Sequence, residues 1–298
     1  MKNTKRQSVT VLMPVYNTGR YVATAVESIL NQNFKEFEFI IIDDGSTDRS
    51  YKVLKGYENR DSRIRLISRE NLGISKTRNE LIGEANGDLL LWADSDDISY
   101  PNRIDCLLDK FLTDDKLIWV SSSFRIVDPS GMPIRIMSNF GNFGIGTAMI
   151  SKRAAMVIGG FRENLPIGED TDFGLRMREF GKMSYIDCPL LDYRQHFGSI
   201  CNSLRLAENS YVELIKNLSE KRRLEKVDVL KCEYNFNQAI PAEAHKPEPA
   251  WQTHSRWAWW ALGAGNIKTA RKHSFIAVVK NPLNTQTWKV FLCSLRGH

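Results

Sequence analysis

The stretch Leu89–Asp97, LLLWADSDD, is an apolar run that stops abruptly on three carboxylates, Asp94, Asp96 and Asp97. A short apolar run bounded by polar residues predicts a buried strand, which places these carboxylates at its carboxyl end. Open α/β sheets bind ligands at that end of their strands. Crowded carboxylates repel one another and are costly to desolvate, so a shared divalent cation would explain them. A solvated acidic turn is the alternative that this stretch alone leaves open.

Strand and helix patterns alternate along the first hundred residues. The predicted strands, besides the one ending at Asp94, are Val9–Tyr16, Phe37–Ile42 and Ile64–Ile67. The predicted helices are Tyr21–Gln32, one through Val53 and Leu54, and Ile74–Ala85. This alternation predicts an α/β fold with a mostly parallel sheet, flanking helices and right-handed crossovers. A second acidic loop, Asp43–Asp48, follows the second strand, and it would face the same cleft as Asp94–Asp97 if the second and fourth strands are neighbours.

The following hundred residues read as a mixture of helices and shorter strands. Helices are expected at Asn102–Leu112, from Lys152 to about Gly159, at Thr171–Phe180, and over 204–229. Antiparallel strands are expected at Leu117–Ser121, Phe124–Val127 and Ile134–Met137, and a further short strand at Met183–Ile186. The Gly-rich segment Phe140–Gly146 fits either a flexible loop or a close approach of backbone to a ligand.

Composition limits the classes of protein that remain. The 298 residues are 42% hydrophobic, enough for a sizeable core. Five scattered cysteines argue against a disulfide framework or a structural zinc site and fit a reducing cytosol. The polar N-terminus predicts neither a signal peptide nor a spanning helix. Neither a GxGxxG after the first strand nor a GxxxxGK[ST] occurs, so phosphate would be held some other way, most simply by a metal.

Basic charge is concentrated at the C-terminal end. Of the net +6, residues 246–298 contribute +7, from eight Lys or Arg against Glu248. Five of the seven tryptophans lie there, and residues 251–298 read as three helices, Trp251–Ala264, Ile267–Val279 and Thr285–Leu295. This basic Trp-rich tail fits a helical subdomain packed on the rest of the chain, or a face that binds a membrane surface. RNA binding is a weaker third interpretation, and no nucleic acid partner is expected since no RNA-binding motif is visible.

Seven short motifs occur in an order that resembles the inverting family-two nucleotide-sugar glycosyltransferases, which have the GT-A fold. They are MPVYN (13–17), IDDGSTD (42–48), ENLGISKTRN (70–79), GD (87–88), ADSDD (93–97) with Pro101 and Arg103, GGF and GED (159–161, 168–170), and YRQH (193–196). The resemblance covers about Val9–Ser199. It implies a GT-A domain over 1–235, with a nucleotide-sugar-binding half (1–100) and an acceptor half (101–235), a linker over 236–250, and the helical extension 251–298.

The resemblance also implies roles for individual residues on the donor side. The nucleotide would contact Pro14, Val15, Tyr16, Asn17 and Asp44, with Asp94 and Ser95 near the ribose or the metal. Asp96 would ligate Mn²⁺ or Mg²⁺, and His196 would complete the metal or diphosphate site. Arg78 would assist the leaving group or the base site, although an outward-facing helical arginine is an equal alternative.

On the acceptor side, the resemblance makes Asp170 the catalytic base and Glu169 its neighbour at the acceptor. From the sequence alone, the same two residues read as ordinary helix-capping acids. The expected partners are a nucleotide-sugar donor, most simply a UDP-sugar, and a glycan or lipid-linked acceptor. The expected location is cytoplasmic, or peripheral on the inner face of the cell membrane.

Two other functions remain open. Asp94–Ile98 nearly matches the DxDx[TV] motif of aspartyl-phosphate phosphatases, but it fails at the last position and leaves the DDGSTD loop unexplained. A non-catalytic nucleotide-sugar-binding protein is the second alternative, and it predicts that Asp170 can be replaced without loss.

Overall fold

The computed structural model describes residues 7–138, 143–199, 205–226, 228 and 248–297. Its strands are β1 Val9–Val15, β2 Phe37–Asp44, β3 Ile64–Arg69, β4 Leu89–Trp92, β5 Ile98–Ser99, β6 Leu117–Val127, β7 Pro133–Met137, β8 Ala148–Ser151 and β9 Lys182–Arg194. Its helices are α1 Val22–Leu30, α2 Ser50–Glu58, α3 Ile74–Glu84, α4 Arg103–Phe111, α5 Lys152–Val157, α6 Glu169–Phe180, α7 Arg205–Glu225, α8 Ala250–Gly263, α9 Ile267–Lys280 and α10 Thr285–Arg296. A 3₁₀ turn covers Ile145–Thr147.

One mixed sheet runs through the molecule in the order β3-β2-β1-β4-β8-β6-β9-β5, and β7 pairs with β6. The β3-β2-β1-β4 part is parallel, as the alternating pattern predicts. Strands β1, β2 and β4 are buried on both faces because helices cover both sides, which explains their largely apolar sequences, whereas the edge strand β3 is mostly half-buried. Beyond β4 the pairs are antiparallel, apart from β6 with β9.

The second and fourth strands are not neighbours, because β1 lies between them and pairs with both. The two acidic loops still emerge at the same carboxyl edge, separated by the loop that follows β1. That loop therefore becomes the centre of the edge, flanked by Asp43–Asp48 on one side and Asp94–Asp97 on the other.

Three strand predictions in the second half need correction. Leu117–Ser121 and Phe124–Val127 form one strand, since the polar Ser121–Ser123 between them is buried between β8 and β9. The predicted Met183–Ile186 extends to Arg194, where it lies beside β6. Strand β8 was not predicted; its four residues pair with β4 and β6 and follow the 3₁₀ turn directly.

The C-terminal helices pack on one another and on the β6–β7 hairpin. Trp257 of α8 is fully buried with Ile126, Ile134, Ala261 and Ala270. Most of the predicted linker 236–250, and part of the predicted helical region 204–229, lie outside the described residues. Among the helices of the described segments, none combines the length and apolarity that crossing a membrane requires.

Candidate active site

The loop after β1 is joined to the loop after β2 through Asn17. Its backbone has φ 52°, and its side-chain oxygen accepts hydrogen bonds from the backbone N–H groups of Thr47 (2.8 Å) and Asp48 (3.3 Å). The Asn17 N–H in turn donates to Ser46 Oγ at 2.9 Å. Asparagine tolerates the left-handed conformation better than most residues, which suits it to this turn. The two loops are thus held as one surface at the carboxyl edge.

Not every side chain predicted to contact the nucleotide is accessible. Pro14 and Val15 are buried within β1, so only their backbone could meet a ligand. Tyr16, by contrast, is 51% exposed. Asp44 is buried, pairs with Arg69, and accepts the backbone N–H groups of Leu72 (2.8 Å) and Gly73 (3.0 Å). Its carboxylate therefore fixes the start of the ENLGISKTRN segment.

The turn after β4 carries the predicted metal ligand. His196 Nε2 lies 2.9 Å from Asp96 Oδ2, although a hundred residues separate them. The His196 ring also packs on Tyr21, with centroids 4.8 Å apart. Ser95 is buried, and its Oγ accepts a hydrogen bond from Thr18 Oγ1 at 2.9 Å, which ties the turn to the loop after β1. The structure therefore brings Asp96 and His196 together.

Asp97 holds the turn to β9. Its Oδ1 accepts the backbone N–H of Arg194 at 2.8 Å, and the Arg194 Nε donates to the Asp96 carbonyl at 3.0 Å. Burial and the charges of Asp96 and Asp94 raise the pKa of Asp97 well above its usual range. The YRQH motif thus supplies a structural arginine as well as the histidine, a role that the sequence did not reveal.

Arg78 lies inward rather than toward solvent. Its Nη1 is 2.6 Å from Glu169 Oε1, and its guanidinium is 5.2 Å from the centre of the Phe161 ring. Burial lowers the pKa of Arg78, but the negative charges of Glu169, Asp94 and Asp170 outweigh burial and raise it. One arginine therefore lies among acids from both the β4 turn and the start of α6.

Asp94 is packed closely against the turn before β8. A Cβ at Gly146 would lie 2.3 Å from Asp94 Oδ2, so only glycine fits there. Burial and the nearby Asp96 charge raise the pKa of Asp94, while Arg78 and Arg103 oppose the rise. At Gly146, the backbone of the Gly-rich segment therefore lies close to the Asp94 carboxylate. Residues 139–142 of that segment lie outside the described residues.

Asp170 and Glu169 lie in the first turn of α6, which begins at Glu169, two residues before the predicted start. Asp170 Oδ1 accepts the N–H of Thr171 at 2.7 Å. The helix dipole favours negative charge at this position. Glu169 is paired with Arg78, so it is held toward the acidic turn and not only capping its own helix.

Two further contacts support this arrangement and were missed by sequence reasoning. Asn79 binds both backbone groups of Phe161, accepting its N–H at 2.7 Å and donating to its carbonyl at 2.9 Å, which links the TRN and GGF motifs. Arg103 is fully buried and donates to the carbonyls of Trp92 (2.9 Å) and Gly146 (2.6 Å). Burial lowers the pKa of Arg103 to about 10. In the sequence, the sign that Asn79 and Arg103 matter was their place within the quoted motifs.

The Asp96–His196 pair can hold a divalent cation in part. Within the described segments, no group of three or more His, Cys, Asp or Glu side chains is arranged to bind a metal. A carboxylate and an imidazole 2.9 Å apart nevertheless suit an ion whose remaining ligands are water and diphosphate oxygens. The donor set fits Mn²⁺ or Mg²⁺ shared with a substrate, rather than a closed structural site.

A sequence model of glycosyl transferase family 2 matches residues 10–162, which is 153 of the 298 residues. The chain belongs to glycosyl transferase family 2. The matched range contains the β1, β2 and β4 loops, Arg78 and the GGF segment. It ends before Asp170 and His196, so the family match does not bear on these two residues.

Known relatives of this family 2 chain include longer proteins. Chondroitin synthase of Pasteurella multocida (strain Pm70) is 32% identical over 189 residues, which cover 60% of this chain and 20% of that protein. Glycosyltransferase GlyG of Streptococcus pneumoniae serotype 4 (strain ATCC BAA-334 / TIGR4) is 33% identical over 124 residues, 41% of each chain. The chain thus spans about a fifth to two fifths of the length of these relatives.

Solved structures show that this family 2 chain has the GT-A fold. S. aureus TarS 1-349 in complex with UDP-GlcNAc aligns over 98% of this chain and 92% of its own, with a TM-score of 0.58 and 15% identity. The mannosyltransferase PcManGT from Pyrobaculum calidifontis, in complex with GDP-Man and Mn²⁺, aligns over 98% and 87%, with a TM-score of 0.58 and 16% identity. Both alignments extend through the C-terminal helices, so the fold likeness includes the helical extension.

Proposed function

We propose that the chain is a metal-dependent inverting glycosyltransferase that moves a sugar from a nucleoside-diphosphate donor to a hydroxyl group. The observation that carries the proposal is the position of Arg78 among Asp94, Glu169 and Asp170. It draws the acidic turn after β4 and the first turn of α6 into one site. The donor end of this site is the acidic turn Asp94–Asp97 with His196, and the acceptor end is Glu169 with Asp170.

At the donor end, the exposed Tyr16 and the loop held by Asn17 would receive the nucleotide. Asp96 and His196 would hold Mn²⁺ or Mg²⁺, and a bound cation supplies charge stabilisation to a departing nucleoside diphosphate. Asp94 and Ser95 lie beside this pair, at the ribose or the outer part of the metal site. Asp44 would act through the loop that it fixes, and Arg78 supplies a positive charge next to the leaving group.

At the acceptor end, Asp170 would accept the proton of the attacking hydroxyl. A carboxylate is sufficient for this step because the hydroxyl becomes acidic only as the new bond forms, so position matters more than a high pKa. Asp170 lies in the first turn of α6, where the helix dipole stabilises negative charge. Glu169, held by Arg78, would line the acceptor side.

The acceptor class is a growing glycan or a lipid-linked glycan, as in cell-surface polysaccharide synthesis. The similarity to chondroitin synthase supports a polysaccharide product. The solved neighbours bind UDP, UDP-GlcNAc or GDP-Man, which supports a nucleotide-sugar donor; a UDP-sugar is the simplest choice.

A donor panel tests this function directly. The full chain is mixed with UDP-, GDP- and dTDP-sugars and Mn²⁺, and thermal shift and nucleoside diphosphate release are both measured. The proposal expects one nucleotide class to raise the melting temperature and to be turned over, with turnover lost in Asp170→Asn. Release of phosphate from p-nitrophenyl phosphate would instead favour the phosphatase, and a thermal shift without any turnover would favour a non-catalytic binding protein. Turnover unaffected by Asp170→Asn would contradict the role of Asp170 as the base.

We further propose that the chain works at the inner, anionic face of the cell membrane through the outer side of α9 and α10. Phe275, Trp288, Leu292 and Leu295 are exposed there, and Phe291 bridges Phe275 and Trp288 with ring centroids 6.3 and 6.1 Å apart. Five basic residues of these two helices are exposed: Lys268, Arg271, Lys280, Lys289 and Arg296. From residue 249 to the end there is no Asp or Glu. Exposed aromatic rings among uncompensated cations fit an anionic lipid surface.

Co-sedimentation with vesicles tests the membrane surface. Binding to phosphatidylglycerol vesicles, weak binding to neutral vesicles, and loss in the double variant Phe275→Ser, Trp288→Ser are expected. Leu112→Ser, which changes an exposed apolar residue at the end of α4, is the control and should bind as the unchanged chain does. If the double variant binds phosphatidylglycerol vesicles as well as the unchanged chain does, the proposed membrane surface is wrong.

A further inference from the structure

The segment that carries His196 is anchored at its start by Arg194, which binds Asp97 and the Asp96 carbonyl. It follows the end of β9 at Arg194 and contains a turn in which the Gly198 N–H donates to His196 Nδ1 at 3.2 Å. The Gln195 N–H donates to the Val127 carbonyl at 2.9 Å and so continues the β6 pairing by one residue. Beyond that point, a different part of the chain determines where the segment lies.

The two residues that flank His196 contact helix α8 of the tail. The buried Trp257 donates its Nε1–H to Gln195 Oε1 at 2.6 Å. On the other flank, the Phe197 ring packs against Trp257 and His254, with centroids 5.6 and 5.4 Å away. His196 itself projects the opposite way, toward Asp96 and Tyr21. Helix α8 thus holds both neighbours of the histidine and leaves its imidazole for the donor end.

Helix α8 is itself fixed to the β6–β7 hairpin. His254 Nδ1 lies 2.9 Å from His273 Nδ1, and His273 Nε2 lies 3.1 Å from Asp128 Oδ2. Lys272 Nζ donates to the same Asp128 oxygen at 2.5 Å. At the turn between α8 and α9, Asn266 donates to the Ile134 carbonyl at 2.9 Å. These contacts anchor the helix at two points of the hairpin, so it can act as a rigid support.

We infer that the C-terminal helices are a positioning element for the donor end, and that Trp257 is the residue through which they hold His196 opposite Asp96. The inference rests on the proposed function, because it assigns the tail a role in the affinity for nucleoside diphosphate and metal. Trp257 touches neither ligand. It sets the path of residues 195–197, and through them the orientation of the His196 ring. Such supporting residues commonly change metal affinity tenfold or more when altered.

The test compares two substitutions that are chemically identical. Trp257→Phe removes the indole N–H that binds Gln195 while keeping an aromatic ring. Trp259→Phe is the matched control, because Trp259 lies on the same helix as Trp257 but is 38% exposed. UDP and GDP are titrated with Mn²⁺ by calorimetry, and the imidazole resonance of His196 is followed by NMR without metal, assigned by its loss in His196→Gln.

Trp257→Phe is expected to weaken binding of the nucleotide with Mn²⁺ about tenfold, to raise the donor KM more than it lowers kcat, and to shift the His196 resonance. Trp259→Phe should change none of these. Phe197→Ala is a second variant whose half-exposed side chain makes unfolding a lesser risk, and it should change binding in the same direction. A folded Trp257→Phe or Phe197→Ala protein with unchanged binding and an unshifted His196 resonance would overturn the inference. If the unchanged chain binds no nucleotide, the proposed function fails instead, while the His196 shift still reports on the positioning.

Discussion

The donor end of the site is assembled from loops of several elements, whereas the acceptor end is the first turn of one helix. Asp96 is held through His196 and β9, and its turn is joined to the β1 loop by Ser95 and to the tail through Gln195 and Phe197. Asp170 follows from the position of α6 alone, and Arg78 is the link between the two ends. Substitutions far from the site should therefore disturb the donor end, while the acceptor end should respond mainly to changes in α6 or Arg78.

The largest effect is expected at the donor end, from Asp96→Asn. Loss of the anionic ligand should lower kcat/KM about a thousandfold, since a bound cation contributes several kcal/mol to stabilising the leaving group. Asp88→Asn, the same change at the opposite end of β4, is the control and should retain activity. A fall of less than about tenfold in steady-state assays with Mn²⁺ would contradict the role given to Asp96.

At the acceptor end, Asp170→Asn should lower kcat about a hundredfold or more, the usual contribution of a positioned base. The donor KM should stay unchanged because the donor end does not depend on this carboxylate. A raised donor KM with unchanged kcat would mean that the two ends are not separate in function, and would move Asp170 to the donor end.

Arg78→Gln tests the link. It leaves Glu169, whose side chain is 14% exposed, without its partner, and removing one member of a largely buried ion pair costs about 4 kcal/mol. Urea unfolding measures this change. The control is Arg65→Gln, whose pair with Glu84 is well exposed and should change the free energy of unfolding by less than about 1 kcal/mol. Equal effects of the two substitutions would show that Arg78 does not join the two ends.

Acid should disturb the support of the donor end through His254. Burial, together with the nearby His273, Lys280 and Lys272 and despite Asp128, lowers the pKa of His254 to about 4. Below about pH 6.5, His254 therefore takes up a proton in the unfolded chain but not in the folded chain. The contribution of His254 to the free energy of unfolding is fully present above this pH and is lost as the pH falls toward 4. The loss is at most roughly 3 kcal/mol. Urea unfolding at several pH values measures it, and His254→Gln should flatten the curve; an equally steep curve would contradict the assignment.

The sequence predicted the donor half more fully than its surroundings. Strands β1, β2 and β4 are apolar runs because they are buried on both faces, and acidic loops follow β2 and β4 at the ligand edge. The tail helices also match to within a few residues, since Gly265, Asn266 and Pro282 interrupt their periodicity.

What the sequence could not predict depends on pairing between distant segments. The burial of Ser121–Ser123 follows from β8 and β9 lying on both sides, and no local pattern announces it. The inward position of Arg78 depends on Glu169, ninety-one residues later. Likewise, the structural roles of Arg103 and Arg194 are hydrogen bonds to backbone carbonyls, which motif letters do not specify.

The division between the two ends is tested most directly by calorimetric titration of the same nucleoside diphosphate with Mn²⁺ into Asp96→Asn and Asp170→Asn. Asp96→Asn is expected to lose binding of the nucleoside diphosphate. Asp170→Asn is expected to bind it as the unchanged chain does, although its turnover is lost. Loss of binding in both variants, or in Asp170→Asn alone, would contradict this division.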